Sequence, residues 1–228
     1  MRPATQHWYT SRAFLGKCAN EPSPGGGSMS RLNCWSKRRT GSSLDSLLRE
    51  LQVRRAAVVD TAQWLSTRVR LRACASVGRG TRAIGNVWVW GGGRIAVGRR
   101  VLLDASVVPI ELHCFEGATL EIGDDVVIRG GTSIEAMCSV SIGARTCIDM
   151  FCKVMDNNFH SLTDHWARPP SHPVTIGEDV RLERHCMVVC ANVGQGTLIA
   201  PRTVALRAVP ASATMCGLPP VVRRRGLG

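Results

Sequence analysis

The sequence predicts a solenoid of short stacked coils entered through an amphipathic helix, and three observations carry that prediction. A six-residue period runs through the C-terminal two thirds of the chain. A three- and four-residue period precedes it. Aromatic residues are only 5% of the chain while hydrophobic residues are 44%, which suits a narrow, repetitive interior filled by Val, Ile, Ala and Cys.

In chain order, residues 1–42 are expected to form a basic, disordered tail. Glu21-Pro-Ser-Pro-Gly-Gly-Gly-Ser28 has linker composition. Met29 follows it, and a true start there would leave residues 1–28 outside the protein. Residues 43–76 are expected to hold an amphipathic helix. Leu44, Leu47, Leu48, Leu51, Val58, Ala62, Leu65 and Val69 recur at helical steps. Asp45 suits the positive end of the helix dipole, and Arg68, Arg70 and Arg72 suit the negative end. Two readings of this helix stand: it packs on the main domain or a partner subunit, or its basic face rests on an anionic membrane.

From residue 77 the period becomes six. Val97-Gly-Arg-Arg-Val-Leu leads to Leu103-Asp-Ala-Ser-Val-Val, and Ile122-Gly-Asp-Asp-Val-Val leads to Ile128-Arg-Gly-Gly-Thr-Ser and Ile134-Glu-Ala-Met-Cys-Ser. Ile142-Gly-Ala-Arg-Thr-Cys, Ile148-Asp-Met-Phe-Cys-Lys, Ile176-Gly-Glu-Asp-Val-Arg, Leu182-Glu-Arg-His-Cys-Met, Val193-Gly-Gln-Gly-Thr-Leu and Ile199-Ala-Pro-Arg-Thr-Val continue it. The first position is aliphatic and the fifth small or β-branched. Such a period marks repeats that bury a continuous core by stacking on one another. Cys138, Cys152 and Cys186 fall at the fifth position and are expected to be small buried hydrophobes. Two insertions break the phase: Val108–Leu120, with His113 and Cys114, and Met155–Pro173.

Charge and cysteine usage narrow the function. The net charge of +12 favours anionic partners. A nucleic-acid binder would interleave such charge with aromatics or a recognition motif, and neither is found, so no nucleic-acid partner is expected. No apolar run spans a membrane and no signal peptide is read, so a cytoplasmic location is expected. The ten cysteines then remain reduced. Without a CxxC pair they suggest no closed zinc site.

The sixes resemble the hexapeptide repeat of the bacterial acyltransferase family, over residues 77–225. Three further features resemble that family in its own order. Asp156-Asn-Asn-Phe-His160 looks like the Asp-x-x-x-His loop of sugar O-acetyltransferases, Pro173-Val-Thr-Ile-Gly like their re-entry strand, and Gly217-Leu-Pro219 with Arg223, Arg224 and Arg225 like their closing segment. The resemblance implies an all-β fold, a left-handed parallel β-helix preceded by the N-terminal α-helix, assembled as a homotrimer. It implies acyl transfer from acetyl-CoA to a hydroxyl of a sugar or polysaccharide precursor.

By this resemblance His160 is the general base, because a neutral imidazole can take the hydroxyl proton and return it to the leaving thiolate. Asp156 orients the loop or the imidazole. Asn158 and His165 are candidate acceptor contacts. Arg207, Arg223 and Arg224 are candidates for the phosphates of the coenzyme. Leu182–Met187 and Ile199–Thr203 depart from the family by placing bulk and charge on the presumed donor groove. Two other functions remain: a γ-class carbonic anhydrase-like zinc enzyme, suggested by the spacing of His160 and His165, and a non-catalytic trimeric scaffold. No metal is expected, because a third histidine at a fitting distance is missing.

Overall fold

The computed structural model describes Glu50 and residues 61–158, 170–217 and 219–224. The chain divides into two units, Met1–Ser42 and Ser43–Gly228, and every described residue lies in the second. It is a parallel β-helix entered through a helix, α1, described over residues 61–70. Among the described residues no helix is long and apolar enough to cross a membrane.

The six-residue period becomes three columns of side chains. On the first face Val77, Val97, Ile122, Ile142, Ile176, Val193 and Val209 lie in parallel register. On the second, Ala83, Leu103, Ile128, Ile148, Leu182, Ile199 and Met215 do so. On the third, the column is Val89, Leu112, Ile134, Val154, Val188 and Ala205. All but Val77 and Val89 are fully buried in one continuous core, so no coil is stable without its neighbours.

The three corners differ. From the first face to the second the step is always six residues, as from Val77 to Ala83 and from Val209 to Met215. The second corner keeps that step except in the strand Leu102–Cys114. There the register jumps between Ala105, opposite Gly85, and Ile110, opposite Val87. The third corner varies freely, from the short return between Ala205 and Val209 to the long excursion between Val154 and Ile176.

Sterics impose the sequence of the first corner. Its fourth residue is left-handed: Arg100, Asp125, Arg145, Asp179 and Ser212 have φ of 53–58°. Its second residue is glycine where coils nearly touch, since a Cβ on Gly143 would come within 2.5 Å of the Gly177 backbone. Charges alternate outside. Arg99 meets Asp124 at 2.7 Å and Arg100 meets Asp125 at 2.6 Å, while Arg145 meets Asp179 at 2.8 Å and also pairs with Glu178.

At the fifth position buried polar groups other than Thr203 find partners on the next coil. Thr146 Oγ1 donates to the Gly177 carbonyl at 2.9 Å, and Thr197 Oγ1 to that of Pro210 at 2.8 Å. Cys152 and Cys186 are buried as expected. Their thiols take the same role, meeting the carbonyls of Glu183 at 3.0 Å and Ala200 at 3.1 Å. The Cys186 thiol beside Cys152, together with burial, holds the Cys152 thiol protonated well above the ordinary range.

Two expectations are corrected. Cys138 is exposed, because the step from Ile134 to Ile142 is two residues longer than a six and Ala136 takes the inward place. Val107 is also exposed, at 78%, since it lies in the extra residues between Ala105 and Ile110. The first insertion does lengthen the coil, and within it His113 and Cys114 pair in register with Glu135 and Ala136.

The helix meets the solenoid through residues other than its apolar stripe. Leu65 and Val69 face outward. The inward contacts are made by Thr67 and by Leu71, just beyond α1. Thr67 Oγ1 accepts the Ala83 amide at 3.0 Å and donates to the Gln63 carbonyl at 2.8 Å. The first coil presents an open edge of amides, and a hydroxyl caps one where a leucine could not.

Candidate active site at the third corner

The long excursion starts from the strand Lys153–Met155. Met155 pairs with Glu135, and Asp156 continues inward beyond the paired residues Cys114 and Ala136. Asp156 is fully buried. Its Oδ1 accepts the Met137 amide at 2.8 Å and its Oδ2 the amides of Cys138 and Ser139 at 2.7 Å each. Three charge-assisted bonds offset the desolvation of the carboxylate. Burial first and the Asp156 charge second push the Cys114 and Cys190 thiols up.

The excursion is pinched shut at its base. The His172 amide donates to the Asp156 carbonyl at 2.8 Å, and Asn157 Nδ2 donates to Ser171 Oγ at 2.9 Å. Asn157 is buried and Asn158, one residue further out, is exposed. His160 and His165 lie beyond, outside the described residues. The next coil clamps both stems: the Cys190 amide donates to the Met155 carbonyl at 2.9 Å, and Asn192 Oδ1 accepts the Thr175 amide at 2.8 Å.

Arg207 sits on the same edge. It occupies the third corner one coil past Cys190–Asn192, exposed, between Ala205 and Val209. Two rungs of about 4.8 Å separate it from the level of Asp156, roughly 10 Å along the edge. Arg223 lies elsewhere. The strand Val221–Arg224 runs antiparallel to Ala213–Cys216, with Arg223 opposite Thr214, on the second face. The backbone of Arg224 pairs with Ala213 there; its side chain lies outside the described residues.

Sequence reasoning missed Cys190 and Asn192 and placed Cys138 in the core; all three lie beside the stems. The short step from Val188 to Val193 was a usable signal, since a corner cut short must lie close to the base of its long neighbour. The bulk and charge of Leu182–Met187 and Ile199–Thr203 sit at a different corner, between the second and third faces. There His185 stacks on Phe151 at 5.0 Å and 6°, and Arg184 meets Asp149 at 3.3 Å. Among the described residues no group of His, Cys, Asp or Glu could hold a metal ion.

No family model and no curated protein matches the chain. Solved structures do. AntD, an N-acyltransferase from Bacillus cereus in complex with dTDP and 3-hydroxybutyryl-CoA, superposes with a TM-score of 0.59 at 13% identity, over 69% of this chain and 86% of that one. A single-residue variant of AntD bound to dTDP-4-amino-4,6-dideoxyglucose and Coenzyme A superposes with a TM-score of 0.57 at 13% identity, over 67% of this chain and 85% of that one. At that identity the likeness is one of fold.

Proposed function

We propose that the protein transfers an acyl group, acetyl in the first instance, from acyl-CoA to a hydroxyl of a sugar or polysaccharide precursor. The observation that carries this reading is the loop after Asp156. It is the one long excursion of the described solenoid, stapled at its base by Asp156, Asn157, Ser171 and His172, and it holds the Asp-x-x-x-His motif. A base that must meet an acceptor at fixed geometry belongs on a rigid stem. The fold shared with AntD, described in complex with coenzyme A, supports the choice of donor.

In this reading the acceptor hydroxyl gives its proton to the His160 imidazole as its oxygen attacks the thioester carbonyl carbon. The tetrahedral adduct collapses with cleavage of the C–S bond, and the imidazolium returns the proton to the thiolate. Asp156 acts as a positioning residue: its carboxylate is committed to three backbone amides. Asn158 and His165 contact the acceptor. Arg207 meets phosphate of the donor along the shared edge, and Arg223 and Arg224 add positive charge at the end of the solenoid. The working assembly is a homotrimer in the cytoplasm, resting on an anionic membrane.

The test is release of free thiol from acetyl-CoA with a panel of sugar and glycan acceptors. Because AntD is an N-acyltransferase, amino sugars form a second arm. Thiol release that depends on a hydroxyl acceptor supports the reading. Release with amino sugars only would move the acceptor to an amine. Failure to bind coenzyme A would end it.

A further inference from the structure

The outward face of α1 is uncovered within the single chain. Trp64, Leu65 and Val69 are 57–59% exposed, and on the adjoining first coil Trp88 and Trp90 are 45% and 54% exposed. Val69, Trp88 and Trp90 line one open groove of about 570 Å³ together with Arg70 and Arg72. Trp64 lines a different cavity, with Gly80 and Thr81, and solvated monomers rarely leave this much aromatic surface exposed.

The charge on the described part of the helix is of one sign, while Glu111 stands beside Trp88 on the next strand. Residues 61–72, Thr-Ala-Gln-Trp-Leu-Ser-Thr-Arg-Val-Arg-Leu-Arg, hold three arginines and no acid. Along the solenoid wall Arg99, Arg100, Arg145 and Arg184 are all paired with carboxylates. Among the described residues Arg68, Arg70 and Arg72 pair with none. Arg68 instead lies over the Trp64 ring, 5.5 Å from its centroid, with its stem along the apolar face and its charge at the rim.

We propose that α1 and the rim of the first coil form a docking face for an anionic lipid surface. Tryptophan and leucine enter the headgroup boundary, and Arg68, Arg70 and Arg72 meet lipid phosphates or carboxylates. A second copy of the chain fits less well. It would bring the same arginines, and of the wall acids, Asp124, Asp125, Asp149, Glu178 and Asp179 are already engaged, which leaves Glu111, Glu116 and Glu121 among the described acids to meet them. The proposal specifies the membrane contact in the reading above and is independent of the acyl-transfer chemistry.

The experiment is co-sedimentation of the full chain with vesicles of phosphatidylcholine alone or mixed with phosphatidylglycerol. The expected result is binding to the mixed vesicles only. Each arginine near a charged surface is worth about fivefold in partitioning, so R68Q/R70Q/R72Q should bind roughly a hundredfold more weakly. R68K/R70K/R72K should retain binding, and W64S/L65S/V69S should lose it. Thiol release with a soluble acceptor should be unchanged in each, which separates this test from that of the acyl transfer. Equal sedimentation of the wild type and R68Q/R70Q/R72Q overturns the proposal. So does dissociation of the oligomer in W64S/L65S/V69S by light scattering, which would make the face a subunit interface. If those variants misfold, quenching of wild-type tryptophan fluorescence by brominated lipid decides: quenching is expected, and none overturns the proposal.

Discussion

The buried Asp156 carboxylate holds the amide of the exposed Cys138, one coil earlier, at 2.7 Å. One side chain thus ties the stem of the long loop to the turn beneath it. Replacing Asp156 with Asn puts an amide NH₂ against backbone donors. With Met137 and Ser139 also losing a charged acceptor, the cost is expected to be about 3 kcal/mol. Urea unfolding measures it. A D156N protein as stable as the wild type would show that the turn does not depend on the carboxylate.

His160 separates from Asp156 by the property it changes. If His160 serves catalysis and not packing, H160A should leave the melting temperature within a degree or two of the wild type, as a substitution that removes no structural contact changes stability by less than about 0.5 kcal/mol. Thiol release from acetyl-CoA should fall at least a hundredfold, the lower range of what a positioned general base contributes. Full activity in H160A would remove it from the mechanism.

The fold was legible because the step between the first and second faces never departs from six. Ile122 to Ile128 and Ile176 to Leu182 follow the same rule, and the glycine and left-handed turn within each step are sterically required. The misplacements of Cys138 and Val107 came from corners whose length varies, where a count of sixes has no anchor. What α1 presents to the solenoid was not legible for a different reason. Helical periodicity locates an apolar face but does not say what covers it, and the edge of the first coil asked for the Thr67 hydroxyl. The loop was found from its motif, whereas its clamp at Cys190 and Asn192 comes from a coil later in sequence and only the register brings them together.

Gly143 tests the close stacking of the first corner. A methyl group there would meet the Gly177 backbone at 2.5 Å, and backbone on both sides is held by the ladders to the strand Val174–Ile176. G143A should cost about 1–3 kcal/mol by overpacking. Gly92 serves as the control, because its added Cβ meets only the Glu116 residue at ordinary contact distances of 3.5–3.7 Å. Thermal melting of the two variants should separate them, and equal melting would mean that the coils can part without cost.

Acid should loosen the same corner. Hydrogen bonds from Arg99, Arg100 and Arg145 hold the carboxyls of Asp124, Asp125 and Asp179 below the ordinary aspartate range. A folded pKa below the unfolded one stabilises the protein above the unfolded value, about 3.9, and that stabilisation is lost as pH falls through the folded values. The melting temperature should therefore drop below about pH 4, and R99Q/R100Q/R145Q should show a shallower drop. Salt should weaken the wild-type effect, as these pairs are solvent-exposed. A drop of equal steepness in the triple variant would assign the acid sensitivity to other carboxylates.

Arg207 and Arg223 divide what the chain order places together. Both are exposed cations near the C-terminal end, yet Arg207 shares the corner edge with the loop stem and Arg223 lies on the second face. If the donor lies along the loop edge, R207Q should raise the KM for acetyl-CoA about tenfold, the loss of one charge-assisted bond to phosphate, with kcat little changed. R223Q should shift KM by less than about threefold, as a charge acting only through the screened field does. The reverse order would place the donor on the second face, beside Arg181 and Arg184, which line a cavity of about 210 Å³ with Arg129 and Asp149. R184Q should then raise KM as R223Q does, which makes the three substitutions a map of the donor's path across one subunit.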